Sequence, residues 1–150
     1  MKYEIKKATL DDVVSIKKIE DECFSVPWSE NSLEECLNNP CSHFYLAKAE
    51  NEALGYIGIQ IFSDEGYVTN VATLPEYRKQ GIAKALVKRA LENDMEFLTL
   101  EVRKSNLPAI SLYKKLGFTV LGEQVGAYRT VEDGKTVGYE NALVMGKKLI

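Results

Sequence analysis

One histidine, one tryptophan and three cysteines are all this 150-residue chain has of those residue types. Three cysteines form an odd set with no visible disulfide framework, and a reducing cytoplasm is the compartment that suits them. Cys23, Cys36 or Cys41 beside His43 could in principle make a nucleophile pair or part of a metal site. No familiar motif surrounds them, and no fourth cysteine or histidine stands at ligand spacing, so no metal is expected. No apolar stretch reaches about 18 residues, which excludes a membrane-spanning helix and a membrane partner. The first residues, Met1 to Lys7, lack an apolar signal core. Basic charge is not in excess either. The net charge of -3 argues against direct nucleic-acid binding, which needs a basic surface. It tolerates a cationic acceptor, such as an amine or a basic protein tail.

The remainder is ordinary for a globular protein: 45% hydrophobic and 27% charged residues, with no repeat and no linker. A single domain over residues 1–150 follows. Tyr3–Ala8 reads as a strand. Thr9 and Asp12 make a capping-box-like start to a helix carrying Leu10, Val13, Ile16, Ile19 and Cys23 on one side. Pro27 ends that region, and Ser29 can cap a second helix that stops at Asn38-Asn39-Pro40. Strands follow at His43–Ala49, Leu54–Phe62 and Tyr67–Ala72, joined by Glu50-Asn51-Glu52 and Asp64-Glu65-Gly66. The stripe Ile82, Ala83, Leu86, Val87, Ala90, Leu91 makes a helix ending at about Asn93. Glu96–Val102 is a strand, and Asn106–Leu116 a helix with Gly117 at its C-terminal cap. The last strands are Phe118–Gln124 and Gly138–Leu149, across the polar segment Thr130–Lys135. The fold class is therefore mixed α/β (α+β): a central, mostly antiparallel twisted sheet of about seven strands flanked by about four helices.

The most informative stretch is Arg78-Lys79-Gln80-Gly81-Ile82-Ala83. It joins a strand to a helix N-terminus, where backbone N–H groups lack partners and the dipole favours anions. Gly81 lets a ligand approach the backbone, so the turn can hold a phosphate or pyrophosphate without metal. It can equally be a solvated basic turn with a capping glycine. It is no Walker loop, and it lacks the three glycines of the dinucleotide fingerprint. Its Arg/Gln-x-x-Gly-x-Gly/Ala pattern resembles the pyrophosphate loop of the GNAT family of N-acetyltransferases, which bind acetyl-coenzyme A. The element order resembles that family as well, nearly from end to end.

Two further signatures point to the branch that acetylates the N-terminal alanine of ribosomal proteins. They are Glu101-Val102-Arg103 with Leu112-Tyr113-Lys114-Lys115-Leu116-Gly117-Phe118, and Pro27-Trp28-Ser29 between the first two helices. The resemblance implies Glu101 as the base and Tyr113 as the acid. It implies cofactor contacts from the backbones of Val71, Ala72 and Thr73 and from Arg78, Lys79, Gln80, Gly81, Ile82, Ala83, Lys84, Asn106 and Tyr113. Pro27, Trp28, Ser29 and Tyr128 would line the acceptor groove. Thr73-Leu74-Pro75 stands where the family more usually has Val-Asp-Pro or Val-x-Pro.

On the residues alone, other readings stay open. Glu101 shares a strand face with Phe97, Thr99 and Arg103, and an ion pair with Arg103 would explain it. Tyr113, at i+3 and i+4 from Ile110 and Ala109, reads as a core aromatic. Asn106 is a helix cap, a partner for the cofactor's pantetheine arm, or both. Trp28 either staples two helices to the core or walls a groove. Tyr128 and Tyr139 either sit on a surface hairpin or close that groove. Lys84, Lys88 and Arg89 form a solvated face or meet the cofactor's 3′-phosphate.

The expected activity is transfer of acetyl from acetyl-CoA to a protein N-terminus, that of a small-subunit ribosomal protein, by direct attack in a ternary complex. A carboxylate can take the proton of an α-amino group titrating near about 7.7–8.0. The alternatives are the same chemistry on a polyamine, an aminoglycoside or a lysine side chain, and a non-catalytic CoA-binding sensor. A cytoplasmic monomer or weak homodimer is expected.

Overall fold

The computed structural model describes residues 2–150. The chain forms strands β1 (Glu4–Lys7), β2 (Ser42–Ala49), β3 (Glu52–Phe62), β4 (Glu65–Thr73), β5 (Phe97–Arg103), β6 (Thr119–Glu132) and β7 (Lys135–Lys148). Its helices are α1 (Val13–Cys23), α2 (Glu30–Asn38), α3 (Ile82–Ala90) and α4 (Leu107–Lys115). The sheet order is β1-β2-β3-β4-β5-β7-β6. All neighbours are antiparallel except β4 and β5, which run parallel.

Two apolar layers sandwich the sheet. On one face Ile82, Leu86, Val87 and Ala90 of α3 and Ile110 and Tyr113 of α4 pack with Ile57, Leu98, Leu100 and Val102. On the other, Val13, Ile16 and Ile19 of α1 and Leu33 of α2 pack with Phe44, Leu46, Tyr56 and Ala72. Strand alternation therefore sends Leu98, Leu100 and Val102 toward α3 and α4, and Thr99 and Glu101 toward the α1–α2 face.

Several sequence expectations need adjusting. Leu10 does not join the buried helical stripe. Leu10–Asp12 is a 3-10 turn, and Leu10 is 49% exposed. The third strand of the meander begins at Glu65, because Ser63 takes the positive φ (54°) of the turn. Helix α3 ends at Ala90, not Asn93. The largest difference is the last hairpin. Its strands run to Glu132 and from Lys135, so the polar segment is strand apart from the two-residue turn Asp133-Gly134. Nearly every residue of β6 is exposed, so no apolar alternation marks it as a strand.

Candidate active site

The parallel pairing of β4 and β5 lasts three residue pairs, Glu65 with Phe97, Gly66 with Leu98 and Tyr67 with Thr99. Beyond Tyr67 the strands part. From Val68 to Thr73, β4 remains paired with β3 only, leaving its other backbone edge without a strand partner. A β-bulge helps open this gap: Val68 pairs with Ile59 and Asn70 with Gly58, so Thr69 is the extra residue. Thr69 Oγ1, Asn70 Oδ1 and Thr73 Oγ1 are buried without a hydrogen-bond partner among the described residues. Polar atoms orphaned along an open strand edge fit a site that a polar ligand arm completes. Val71, Ala72 and Thr73, the expected cofactor strand, form this edge.

The glycine turn closes one end of the gap. Gly81 is the N-cap of α3, with φ 81°. A Cβ placed there would meet nothing within 4 Å, so glycine serves the backbone conformation and leaves the helix end open. Lys79 also has positive φ, 64°. Left-handed residues in such a turn help gather N–H groups into an anion-binding concavity. Arg78 donates from Nε to the Thr73 carbonyl at 3.0 Å, tying the turn to the end of β4. Lys79, Gln80 and Lys84 are exposed around it, whereas Ile82 is buried and Ala83 half-buried. Arg89 is occupied elsewhere: it stacks on Tyr45 at 4.5 Å and pairs with Glu92 at 3.2 Å.

Glu101 and Tyr113 stand on the β5 side of the gap. Glu101 is exposed on the α1–α2 face. The ion pair with Arg103 does not form, because Arg103 turns to Glu140 at 3.3 Å. Tyr113 is buried on the opposite face, edge-on to Phe118 at 5.8 Å. Burial pushes its hydroxyl pKa up, and Tyr128 beside it adds to the shift. Tyr128 is half-buried, its pKa raised first by burial and then by the Glu101 carboxylate. Tyr128 itself lies under the Arg103 guanidinium, 4.6 Å from the ring centroid, and pairs across β6 and β7 with Glu140. Tyr139, 67% exposed, stays on the outer surface. Asn106 caps α4 by accepting from Ala109 N at 3.3 Å.

The loop Pro27-Trp28-Ser29 lies on the same face as Glu101, with Trp28 half-buried against the α1–α2 layer. Ser29 is spoken for as the cap of α2, its Oγ accepting from Ser32 N at 3.1 Å. Behind the loop sits Glu20, only 1% exposed. It accepts from Trp28 N at 2.8 Å and from the Tyr56 hydroxyl at 2.6 Å. Sequence patterning does not single out Glu20. The available signal was a carboxylate one turn after Ile16, on the apolar stripe of α1. A separate cavity lined by Asp64, Asn93, Met95 and Leu149 opens at the other end of β4 and β5 and contains none of the candidate residues.

Residues 13–118 match the acetyltransferase (GNAT) family. This chain belongs to that family. It is 36% identical over 149 residues to a Bacillus subtilis (strain 168) protein provisionally named a [ribosomal protein bS18]-alanine N-acetyltransferase, covering 96% of this chain and 94% of the relative. An N-alpha-acetyltransferase of Saccharolobus solfataricus is 33% identical, covering 87% of this chain and 89% of the relative. Among solved structures, the ribosomal-protein-S18-alanine N-acetyltransferase of Escherichia coli superposes with a TM-score of 0.89 at 26% identity, covering 98% and 94% of the two chains. The GNAT fold and acetyltransferase class expected from the sequence are those found. No helix among the described residues is long and apolar enough to cross a membrane.

Proposed function

We propose that this GNAT protein transfers an acetyl group from acetyl-CoA to the α-amino group of an N-terminal alanine on a small-subunit ribosomal protein, in the cytoplasm. One juxtaposition supports the reading most strongly. An anion-binding turn at a helix N-terminus opens onto a parted strand pair, and the parted strands are flanked by a carboxylate and a buried phenol. Similarity to bS18-alanine acetyltransferases over nearly the whole chain points to the acceptor.

The roles follow from the chemistry of the side chains. Arg78, Lys79, Gln80, Gly81, Ile82, Ala83 and Lys84 would hold the cofactor's pyrophosphate, mainly through main-chain N–H groups. The free edge of Val71–Thr73 would pair with the pantetheine arm, and Asn106 would add a polar contact. Acetyl-CoA, when bound, supplies the acetyl group as a thioester. Glu101 takes a proton from the incoming ammonium, directly or through water, so that nitrogen attacks with a free lone pair. As the C–N bond formed and the C–S bond broke, Tyr113 would give the departing sulfur a proton and regain one from the acylated nitrogen, which must shed its second proton, directly or through water. A phenol whose pKa is raised by burial stays protonated at neutral pH and can donate. Pro27, Trp28 and Tyr128 would wall the acceptor groove.

The test is a panel of peptides incubated with acetyl-CoA and read by mass spectrometry. Acetylation of the alanine α-amino group is expected. Modification confined to internal lysines would overturn the N-terminal assignment.

A further inference from the structure

Trp28 is held by both of its backbone polar groups. Its N–H donates to Glu20 Oε1 at 2.8 Å, and its carbonyl accepts from Lys17 Nζ at 3.0 Å. Lys17 and Glu20 lie one turn apart on α1 and so share a face of the helix. Together they grip the loop residue much as a neighbouring strand would.

Glu20 extends the grip into the sheet. Its second oxygen accepts from Tyr56 of β3 at 2.6 Å and from Asn70 Nδ2 of β4 at 3.5 Å. Asn70 is brought there by the bulge. Tyr67 pairs with Thr99 and with Gln60, and Asn70 pairs with Gly58, so Tyr67, Asn70, Thr99 and Glu101 share one face. Without the extra Thr69, Asn70 would point to the other side. No cation pairs with Glu20 among the described residues. A buried carboxylate satisfied only by neutral donors is costly to hold there, and its geometry ties three separate segments together.

We infer that Lys17 and Glu20 are positioning residues for the acceptor. They fix the Trp28 loop at a set distance from the β4 bulge and so define the groove through which a protein N-terminus reaches Glu101. This inference rests on the proposed acetylation of a peptide N-terminus. Neither side chain touches the reacting atoms. Loss of either should loosen the acceptor loop, and Lys17, whose ammonium bonds only Asp21 and the Trp28 carbonyl among the described residues, does so without reaching β4.

The experiment uses the full chain and two variants, Glu20→Gln, which keeps the shape, and Lys17→Met, which keeps the stem at a half-exposed position. For an alanine-initiated peptide, KM should rise about 10- to 100-fold, the scale of a misplaced substrate, with kcat much less affected. In Lys17→Met the calorimetric affinity for acetyl-CoA should stay within about twofold, as expected where only acceptor binding is lost. Because Trp28 is the sole tryptophan, its emission reports the loop directly. Acrylamide should quench it more strongly in both variants than in the wild type. Unchanged KM in a folded variant, or a parallel loss of acetyl-CoA affinity in Lys17→Met, overturns the inference. If the wild type acetylates no peptide, the functional reading fails by itself. Quenching then still decides whether the clamp exists, and equal quenching in all three proteins overturns it.

Discussion

The Arg103 guanidinium lies 4.6 Å from the centroid of the Tyr128 ring. It also bonds Glu140 at 3.3 Å and donates to the Arg129 carbonyl at 2.9 Å. Glu140 in turn accepts from Ser105 N at 2.7 Å, at the entry to α4. One planar cation thus holds a strand, a hairpin and a helix start around the Tyr128 phenol. Arg103→Lys keeps the charge but not the fork or the stacking surface. Turnover of an alanine peptide should fall by about tenfold or more through displacement of Tyr128. Steady-state kinetics checks this, and wild-type kcat/KM would remove Tyr128 from the acceptor groove.

Glu101→Gln should lower kcat at neutral pH by about 10²–10⁴, the usual worth of a positioned base. Cofactor affinity should hold, since Glu101 lies on the α1–α2 face of the sheet, opposite the helix that the glycine turn opens. Raising the pH should recover part of the rate as the α-amino group loses its own proton above about pH 8. A rate equal to wild type at pH 7 would take Glu101 out of the mechanism.

Gly81 separates conformation from space. Room for a side chain exists, yet φ is 81°. Asparagine tolerates that region, whereas a β-branched residue pays about 1–2 kcal/mol or more. Gly81→Val should therefore weaken CoA binding, measured by calorimetry, more than Gly81→Asn. Equal losses would mean that side-chain bulk, not backbone shape, governs the turn.

Alkali should unfold this protein through its buried phenols. Burial pushes the pKa values of Tyr56 and Tyr113 up, with Glu20 adding to the effect at Tyr56. Above about pH 10 the unfolded chain loses these protons first, so it binds fewer protons than the native state and stability falls as pH rises. Below that pH their contribution is fully present. Urea titrations should show a decline above about pH 10 that is shallower in Tyr56→Phe than in the wild type. An identical slope would show that Tyr56 does not drive it.

Local features of this fold are legible in the chain, and pairings are not. The turn before α3 announces itself within six residues, because glycine and basic side chains follow a β-rich run directly. The caps at Ser29 and Asn106 and the stop at Gly117 are equally local. The parting of β4 from β5 is different. Tyr67–Ala72 looks uniformly strand-like, and only the register with β3 and β5 reveals that Thr69 bulges and that pairing stops at Tyr67. Glu20 shows the same limit, since its partners lie on β3, β4 and the loop. The long hairpin is hidden because nearly every residue of β6 is exposed, so its outer half carries no apolar alternation to set it apart from a polar loop.

The three-pair seam between β4 and β5 has a mechanical corollary. It divides the sheet into a four-strand portion and a three-strand portion with little main-chain stitching between them. Whatever lodges in the cleft spans both portions and acts as a rivet, and its affinity adds to the resistance of the whole fold to melting.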